Sequence, residues 1–463
     1  MKYHIATFGC QMNYSDSERL RTLLEAWGFI CAKSMEKADL IVFNSCSVKQ
    51  KAEDKVYGQI ANTRILRKKN PEIVTVLMGC MVQKGRKFTK EFFSEKQLNL
   101  EGRRSKTPSA LVDIACKTDD MGSLYNRLRV LRPKWKLKKF DSKGSIENYF
   151  EINPKLTSDF QAFVPIMTGC DKFCTYCIVP YSRGREKSRP FEEVVAECRK
   201  LVDGGVKEIT LLGQTVDSYG RAKAKRTPSS SDDEIPFTKL LRELDKLHVA
   251  GLTRLRFTSP HPKDFSDDLI KAIATLKTTC PYIHLPVQSG SNSCLRRMNR
   301  PYTREKYISI IKRIRAAIPN CAISTDIIVG FCGETEKEFE DTCAMYEEIG
   351  FDMAYLSRYS PRKGTYAAKK MKDNVTGAIK ARRWHKLNAI LKKYALKNNE
   401  RFVGREVEVL IEKQTKDELV GRSKEFKEVH VEKFLKSKKW TGKVVNVKIT
   451  RVREWELYGF LTK

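Results

Sequence analysis

Gly169-Cys170-Asp171-Lys172-Phe173-Cys174-Thr175-Tyr176-Cys177 follows directly on the strand-like run Phe163-Val164-Pro165-Ile166-Met167. Three cysteines at C-x₃-C-x₂-C spacing on one short loop can ligate three irons of a [4Fe–4S] cluster, with Cys170, Cys174 and Cys177 as the ligands. The fourth iron then has no protein ligand, and an open metal position is where chemistry takes place. Ferredoxin clusters, by contrast, are fully ligated and use a C-x₂-C-x₂-C run. The competing readings are three buried structural thiols, or a zinc site short of one ligand. Three cysteines within eight residues favour the cluster.

Upstream of this loop, residues 1–82 alternate strand-like and helix-like runs. Tyr3–Phe8, Leu40–Asn44 and Ile73–Met78 read as strands. Ser15–Trp27 reads as a helix opened by a Ser15/Glu18 capping box, and Val48–Leu66 as a second helix. A βαβ pattern makes a parallel sheet, whose strand ends share one edge. Each strand is followed by a cysteine, in Gly9-Cys10, Ser45-Cys46 and Gly79-Cys80. Cys10, Cys46 and Cys80 are therefore expected to meet as a second three-thiolate site, against the alternative of three small buried residues. Residues 84–109 read as a charged surface excursion, and Leu111–Leu131 as an edge strand and helix of the first domain.

Downstream, the βα alternation resumes. Phe163–Thr168, Glu208–Leu212, Arg254–Thr258, Tyr282–Val287, Ala322–Val329 and Met353–Tyr359 read as strands, each followed by a helix. Six βα units suit a partial (β/α)₆ barrel, with its chemistry at the C-terminal strand ends. Polar groups fall there, among them Gln214, Ser259, His261, Gln288 and Glu334. Tyr219–Glu234 reads as a flexible loop. Glu406–Glu412, Glu418–Ser423, Val444–Arg453 and Glu454–Phe460 read as the strands of a small basic β-barrel. Such a barrel suits nucleic acid; without an aromatic platform it is only a packing module.

The fold class expected is thus α/β. Its parts are an N-terminal parallel-sheet domain (1–131), a lysine-rich linker (132–155), a barrel core (156–398) and a C-terminal barrel (399–463). The net charge of +32 suits a polyphosphate partner, although a solvated lysine-rich surface would give the same figure. No apolar run reaches the roughly 18–20 residues of a membrane span, and no signal peptide is recognisable. The expectation is a cytoplasmic protein without membrane contact. In that compartment thiols stay reduced, so the 14 cysteines point to metal or redox work rather than disulfides.

Together the motifs resemble the radical S-adenosylmethionine (SAM) methylthiotransferase family over nearly the whole chain. The resemblance is carried by Thr7-Phe8-Gly9-Cys10-Gln11-Met12-Asn13, Asn44-Ser45-Cys46-Ser47-Val48, Met78-Gly79-Cys80-Met81 and the Cys170 loop with its continuation Val179 to Pro190. The segment ending Trp455-Glu456-Leu457-Tyr458-Gly459 is similar to the TRAM domain, an RNA-binding barrel. Leu285-Pro286-Val287-Gln288-Ser289-Gly290-Ser291-Asn292 and Tyr359-Ser360-Pro361-Arg362-Lys363-Gly364-Thr365 are closest to the MiaB-like tRNA branch. Ser45, where threonine is usual, and Thr215-Val216-Asp217 depart from that pattern.

The resemblance implies two [4Fe–4S] clusters, SAM as cofactor, and a tRNA anticodon stem-loop as partner. The implied reaction converts N6-(dimethylallyl)adenosine at tRNA position 37 to its 2-methylthio derivative. Radical chemistry removes the C2 hydrogen, sulfur enters, and a second SAM supplies the methyl group. An electron donor such as flavodoxin or ferredoxin, and a monomeric state, complete the picture. Tyr176 is expected to stack on SAM, or else simply to pack. Gln214, Ser259, Gln288, Asp326 and Glu334 are candidates to hold SAM or the base, and His261 and His284 are candidate polar contacts. Arg183, Arg185 and Arg189 can hold a carboxylate or phosphates, or else sit in ordinary ion pairs. The alternative substrates are threonylcarbamoyladenosine in tRNA or a ribosomal-protein side chain. A non-catalytic metal-containing RNA-binding protein is the reading from another class.

Overall fold

A computed structural model describes residues 1–47, 50–82, 112–138, 149–221 and 235–462. The excursion expected at 84–109 and most of the loop expected at 219–234 lie outside the described residues. The chain divides into two units. The first comprises 1–157 with 168–172 and 177–187; the second comprises 158–167, 173–176 and 188–463.

The first unit is built on a five-stranded parallel sheet. Its order is Ile30–Cys31, Lys2–Phe8, Leu40–Ser45, Val74–Gly79, Ile114–Cys116. The two central strands are buried along their whole length, so both faces must be covered. Leu40, Val42, Val74, Val76 and Met78 point to one face and pack with Leu20, Leu23, Leu124 and Leu128 of helices Gln11–Ala26 and Ser123–Leu131. Ile41, Phe43 and Leu77 point to the other, against Val56 and Ile60 of helix Gln50–Lys69. The edge strand and helix expected within 111–131 are present.

One expectation is corrected here. The first helix starts at Gln11, four residues before Ser15, and both Ser15 and Glu18 are buried within it. The cap is Cys10, whose N–H donates to Asn13 Oδ1 at 3.2 Å. Parts of the stretch read as a linker pack against the rest of the first unit. Trp135 meets Phe29 edge-on at 5.5 Å, and Arg19 donates to the Ile152 carbonyl.

The second unit holds two three-stranded parallel sheets. One is Gln161–Pro165, Glu208–Leu212, Arg254–Phe257; the other is Tyr282–His284, Ala322–Val329, Met353–Arg358. A parallel bridge between Leu255 and Thr279 links them, so the six strands follow in sequence order as a partial barrel. Amphipathic helices alternate with the strands, several capped by Ser266, Thr303, Thr335 or Thr376 accepting from the third helical N–H.

Residues Glu406–Gln414, Leu419–Ser423, Glu428–Val431, Val444–Val452 and Glu456–Leu461 close a five-stranded barrel. The short strand Glu428–Val431 escapes a reading by periodicity because it has only four residues. This barrel is clamped to the core. Buried Arg254 donates to the carbonyls of Arg422 and Glu408, and Arg256 to those of Ser423 and Lys424. Phe426, at φ +65°, stacks on Tyr282 at 4.8 Å. No helix among the described residues is long and apolar enough to cross a membrane.

Candidate metal centres

Sheet register assembles the first centre. Phe8 pairs with Ser45, and Ser45 with Gly79, so Cys10, Cys46 and Cys80 leave three adjacent strands at one edge. The Cys46 N–H donates to the Phe8 carbonyl at 2.9 Å, and the Cys80 N–H to the Ser45 carbonyl at 2.8 Å. Cys46 and Cys80 are buried, and Cys10 is exposed at the rim. Gly79, at φ +95°, makes the turn before Cys80: a Cβ there would lie 2.4 Å from the Ser45 carbonyl oxygen. Beneath the thiols, Asn13 Nδ2 donates to Asn44 Oδ1 at 3.0 Å, and Asn44 Nδ2 to the Asn13 carbonyl at 2.7 Å. These buried amides hold the two loops in fixed relation.

Arg183 reaches the same place. Its Nε donates to Cys80 Sγ at 3.2 Å, and its Nη2 pairs with Asp16 Oδ2 at 2.6 Å. Burial opposes the Arg183 charge, but Asp16 and the sulfurs of Cys80 and Cys10 hold it protonated. A hydrogen bond from Cys46, with the Arg183 charge adding to it, pulls the Cys10 thiol down; burial pushes the Cys80 thiol up.

The donor set suits a polynuclear cluster better than a single ion. Zn–S bonds of about 2.3 Å would bring tetrahedral sulfurs to about 4 Å of one another. Among the described residues, Glu428, His430 and Glu456 form the group whose ligand atoms all lie within 4.8 Å; the three thiols do not. That acidic group is an internal network: His430 meets Glu418 at 2.8 Å and stacks on Tyr458.

The Cys170 loop is fixed from within each unit. In the first, Gly169 has φ +77°, and a Cβ there would stand 2.1 Å from the Arg185 carbonyl oxygen. The Cys170 N–H donates to the Gly184 carbonyl at 3.2 Å. In the second, the Thr175 N–H donates to the Met298 carbonyl at 3.1 Å, and Asn299 Nδ2 to the Phe173 carbonyl at 3.1 Å. Arg300, buried, donates from Nη1 to Cys174 Sγ at 3.5 Å. Cys170 and Cys174 are buried and Cys177 is half-buried. Phe173, Ser259 and Gln288 all adopt positive φ, a strained conformation that gathers at functional sites.

The remaining candidates divide. Tyr176 packs edge-on against Phe331 at 6.3 Å. Gln214 has a buried Oε1 with no partner among the described residues, as fits an acceptor awaiting a polar ligand such as SAM. Asp326 Oδ2 lies 3.5 Å from His284 Nε2. Glu334 Oε2 accepts from the Gly330 N–H at 2.6 Å and from Arg383 at 2.8 Å, so it closes a turn. The His261 backbone N–H donates to both Asp217 carboxylate oxygens. Arg185 pairs with Asp171 at 2.8 Å, and Arg189 pairs with Glu197. Arg300 and Asp16 lie outside the quoted motifs, and Asn13 and Asn44 lie inside them without a role of their own being read from the sequence. The aromatic surface of the C-terminal barrel was also missed: Arg451 lies 3.7 Å above the Tyr458 ring, and Lys438 4.3 Å from Trp440.

Comparison with known proteins agrees with this layout. Residues 164–346 match the model of the Radical SAM superfamily, 2–100 that of Uncharacterized protein family UPF0004, and 400–462 that of the TRAM domain. A radical S-adenosylmethionine methyltransferase, TsrM, from Kitasatospora setae shares the fold at TM-score 0.51 and 13% identity, over 77% of this chain and 72% of that one. Proteins named tRNA-2-methylthio-N(6)-dimethylallyladenosine synthase match over the whole length. The one from Clostridium botulinum (strain Hall) is 42% identical over 99% of this chain and 96% of its own. That from Thermoanaerobacter pseudethanolicus is 41% identical over 100% and 93%. The chain belongs to the tRNA-2-methylthio-N(6)-dimethylallyladenosine synthase family.

Proposed function

We propose that the chain converts N6-(dimethylallyl)adenosine at tRNA position 37 to its 2-methylthio derivative. The observation that carries this reading is the sheet register that gathers Cys10, Cys46 and Cys80 into a thiolate set separate from the Cys170 loop. One set of cysteines would serve electron transfer or SAM cleavage alone; delivering sulfur calls for a second. Cys170, Cys174 and Cys177 would hold the cluster that engages SAM, and Cys10, Cys46 and Cys80 the second cluster. When bound, these groups supply the one-electron chemistry, the sulfur and the methyl group.

The chain's own residues do the positioning. Gly79 and Gly169 let the backbone turn closely enough to present Cys80 and Cys170. The Asn13–Asn44 pair keeps Cys10 and Cys46 from drifting apart. Gln214 Oε1 and Gln288 would contact SAM or the base, with Ser259 and Asp326 on the same strand ends. Tyr176 would flank them. The target base has to leave the anticodon-loop stack, which costs roughly a few kcal/mol. Arg451 and Lys438 on the clamped barrel would offer phosphate contacts that offset this cost. The chain would act as a cytoplasmic monomer, supplied with electrons by a flavodoxin or ferredoxin.

The test is anaerobic reconstitution with iron and sulfide, followed by reduction in the presence of SAM and hypomodified tRNA. About eight irons per chain, from two four-iron cubanes, and a methylthiolated nucleoside are expected. Four irons, or SAM cleavage without a modified nucleoside, would overturn the reading.

A further inference from the structure

Each cysteine set has a buried guanidinium on one of its sulfurs. In the first unit, two adjacent donors of Arg183 bridge Cys80 Sγ and the Asp16 carboxylate. Asp16 is fully buried and accepts a second bond from Tyr149 OH at 2.8 Å. Arg19 lies 5.2 Å above the Tyr149 ring. This chain fixes the plane in which Arg183 meets the sulfur. In the second unit, Arg300 is held by Tyr302 OH at 2.6 Å and the Pro286 carbonyl at 2.7 Å, and its remaining arm points to Cys174 Sγ.

An arginine needed only to neutralise Asp16 would not have to present Nε to a thiol. Hydrogen bonds to ligand sulfurs, and the charge behind them, favour the more negative, reduced state of an iron–sulfur group. Uptake of one electron adds one negative charge, and no proton need accompany it. We propose that Arg183 raises the reduction potential of the cluster held by Cys10, Cys46 and Cys80. Arg300 does the same for the cluster held by Cys170, Cys174 and Cys177, so the two potentials are set independently. Both are positioning residues acting through a ligand sulfur. The inference rests on both cysteine sets binding clusters.

The experiment uses full-length chains that each retain one set. Cys170→Ala/Cys174→Ala/Cys177→Ala leaves the first, and Cys10→Ala/Cys46→Ala/Cys80→Ala the second. Each is reconstituted with iron and sulfide, titrated with dithionite and followed by electron paramagnetic resonance. Arg183→Gln in the first background should lower the ratio of reduced to oxidised cluster about tenfold at fixed potential, about 59 mV for a one-electron couple. Arg300→Gln should do so in the second background. Each should be silent in the other's background. Arg183→Lys should recover part of the loss by keeping the charge. Because Arg183→Gln strands the Asp16 carboxylate, Asp16→Asn/Arg183→Gln is measured alongside.

Iron-loaded variants that titrate with their parent would overturn the proposal. So would loss of iron from all three Arg183 variants, which would make Arg183 a folding residue. If a parental background binds no iron, the ligand assignment itself falls and takes this inference with it; that failure is visible before any arginine is changed.

Discussion

Asp352→Ala should loosen the joint between the C-terminal barrel and the core. Asp352 Oδ1 accepts from Lys427 Nζ at 2.9 Å and from Arg401 at 3.1 Å, and its Oδ2 accepts from the Ile323 N–H at 2.9 Å. Lys427 sits in the barrel turn beside Phe426; its side chain is 9% exposed and that of Asp352 only 3%. Burial pushes the Lys427 ammonium down, and Asp352 is the partner that holds it charged. Removing one partner of such a pair leaves an uncompensated buried charge, at about 3–5 kcal/mol. The Ile323 N–H loses its acceptor as well, which costs about 1–3 kcal/mol. These overlap, and we expect about 4 kcal/mol in urea unfolding of the full chain. Asp352→Ala/Lys427→Met should regain at least half, because the stranded ammonium is gone. A loss below about 1 kcal/mol, or no recovery in the double variant, would refute the view that this ion pair secures the barrel.

Three further outcomes are expected. Gly169→Ala puts a Cβ 2.1 Å from the Arg185 carbonyl oxygen at a φ of +77°. It should roughly halve the iron bound per chain, from about eight to about four, because only the Cys170 loop is displaced; iron analysis reads this directly. Cys174→Ala should abolish SAM cleavage, whereas Cys46→Ala should spare cleavage and stop thiolation, as followed by chromatography of 5′-deoxyadenosine and of tRNA nucleosides. For Glu338, burial favours the neutral acid, but the Arg297 fork and Ser293 outweigh it and bring the carboxyl from 4.5 down to about 2. A depressed folded-state value stabilises above the unfolded value, and that stability is lost as pH falls from 4.5 toward 2. Glu338→Gln should therefore flatten that limb of the stability–pH curve, by about 1–2 kcal/mol once solvent screening of the partly exposed Arg297 partner is allowed for.

How much of this could be read before the structure depended on whether the signal was local. The βα alternation is written in runs such as Leu40-Ile41-Val42-Phe43, buried on both sides. The placement of Cys10, Cys46 and Cys80 follows because a parallel sheet brings equivalent strand ends to one edge. Ser15 and Glu18 have capping-box spacing, while the cap that forms uses Cys10 and Asn13, residues of the candidate ligand loop, so the helix starts earlier than the spacing suggests. Gln214, Gln288 and Ser259 could be selected by strand-end position, but only the backbone distinguishes the positive φ of Gln288 and Ser259 from ordinary turns. Arg183 and Arg300 show the deeper limit. Arg183 reads as a ligand for phosphate or carboxylate or as an ordinary ion-pair partner, and Arg300 is not singled out at all. What gives each its meaning is a sulfur 103 or 126 residues away in sequence, met at 3.2 and 3.5 Å. Motifs single out the candidate ligand sulfurs; the groups that donate to those sulfurs come from elsewhere in the chain, since any element that reaches a sulfur can supply the donor. For that reason the candidate ligand cysteines could be picked out from spacing and strand ends, while the arginines beside them come into view only through tertiary contact.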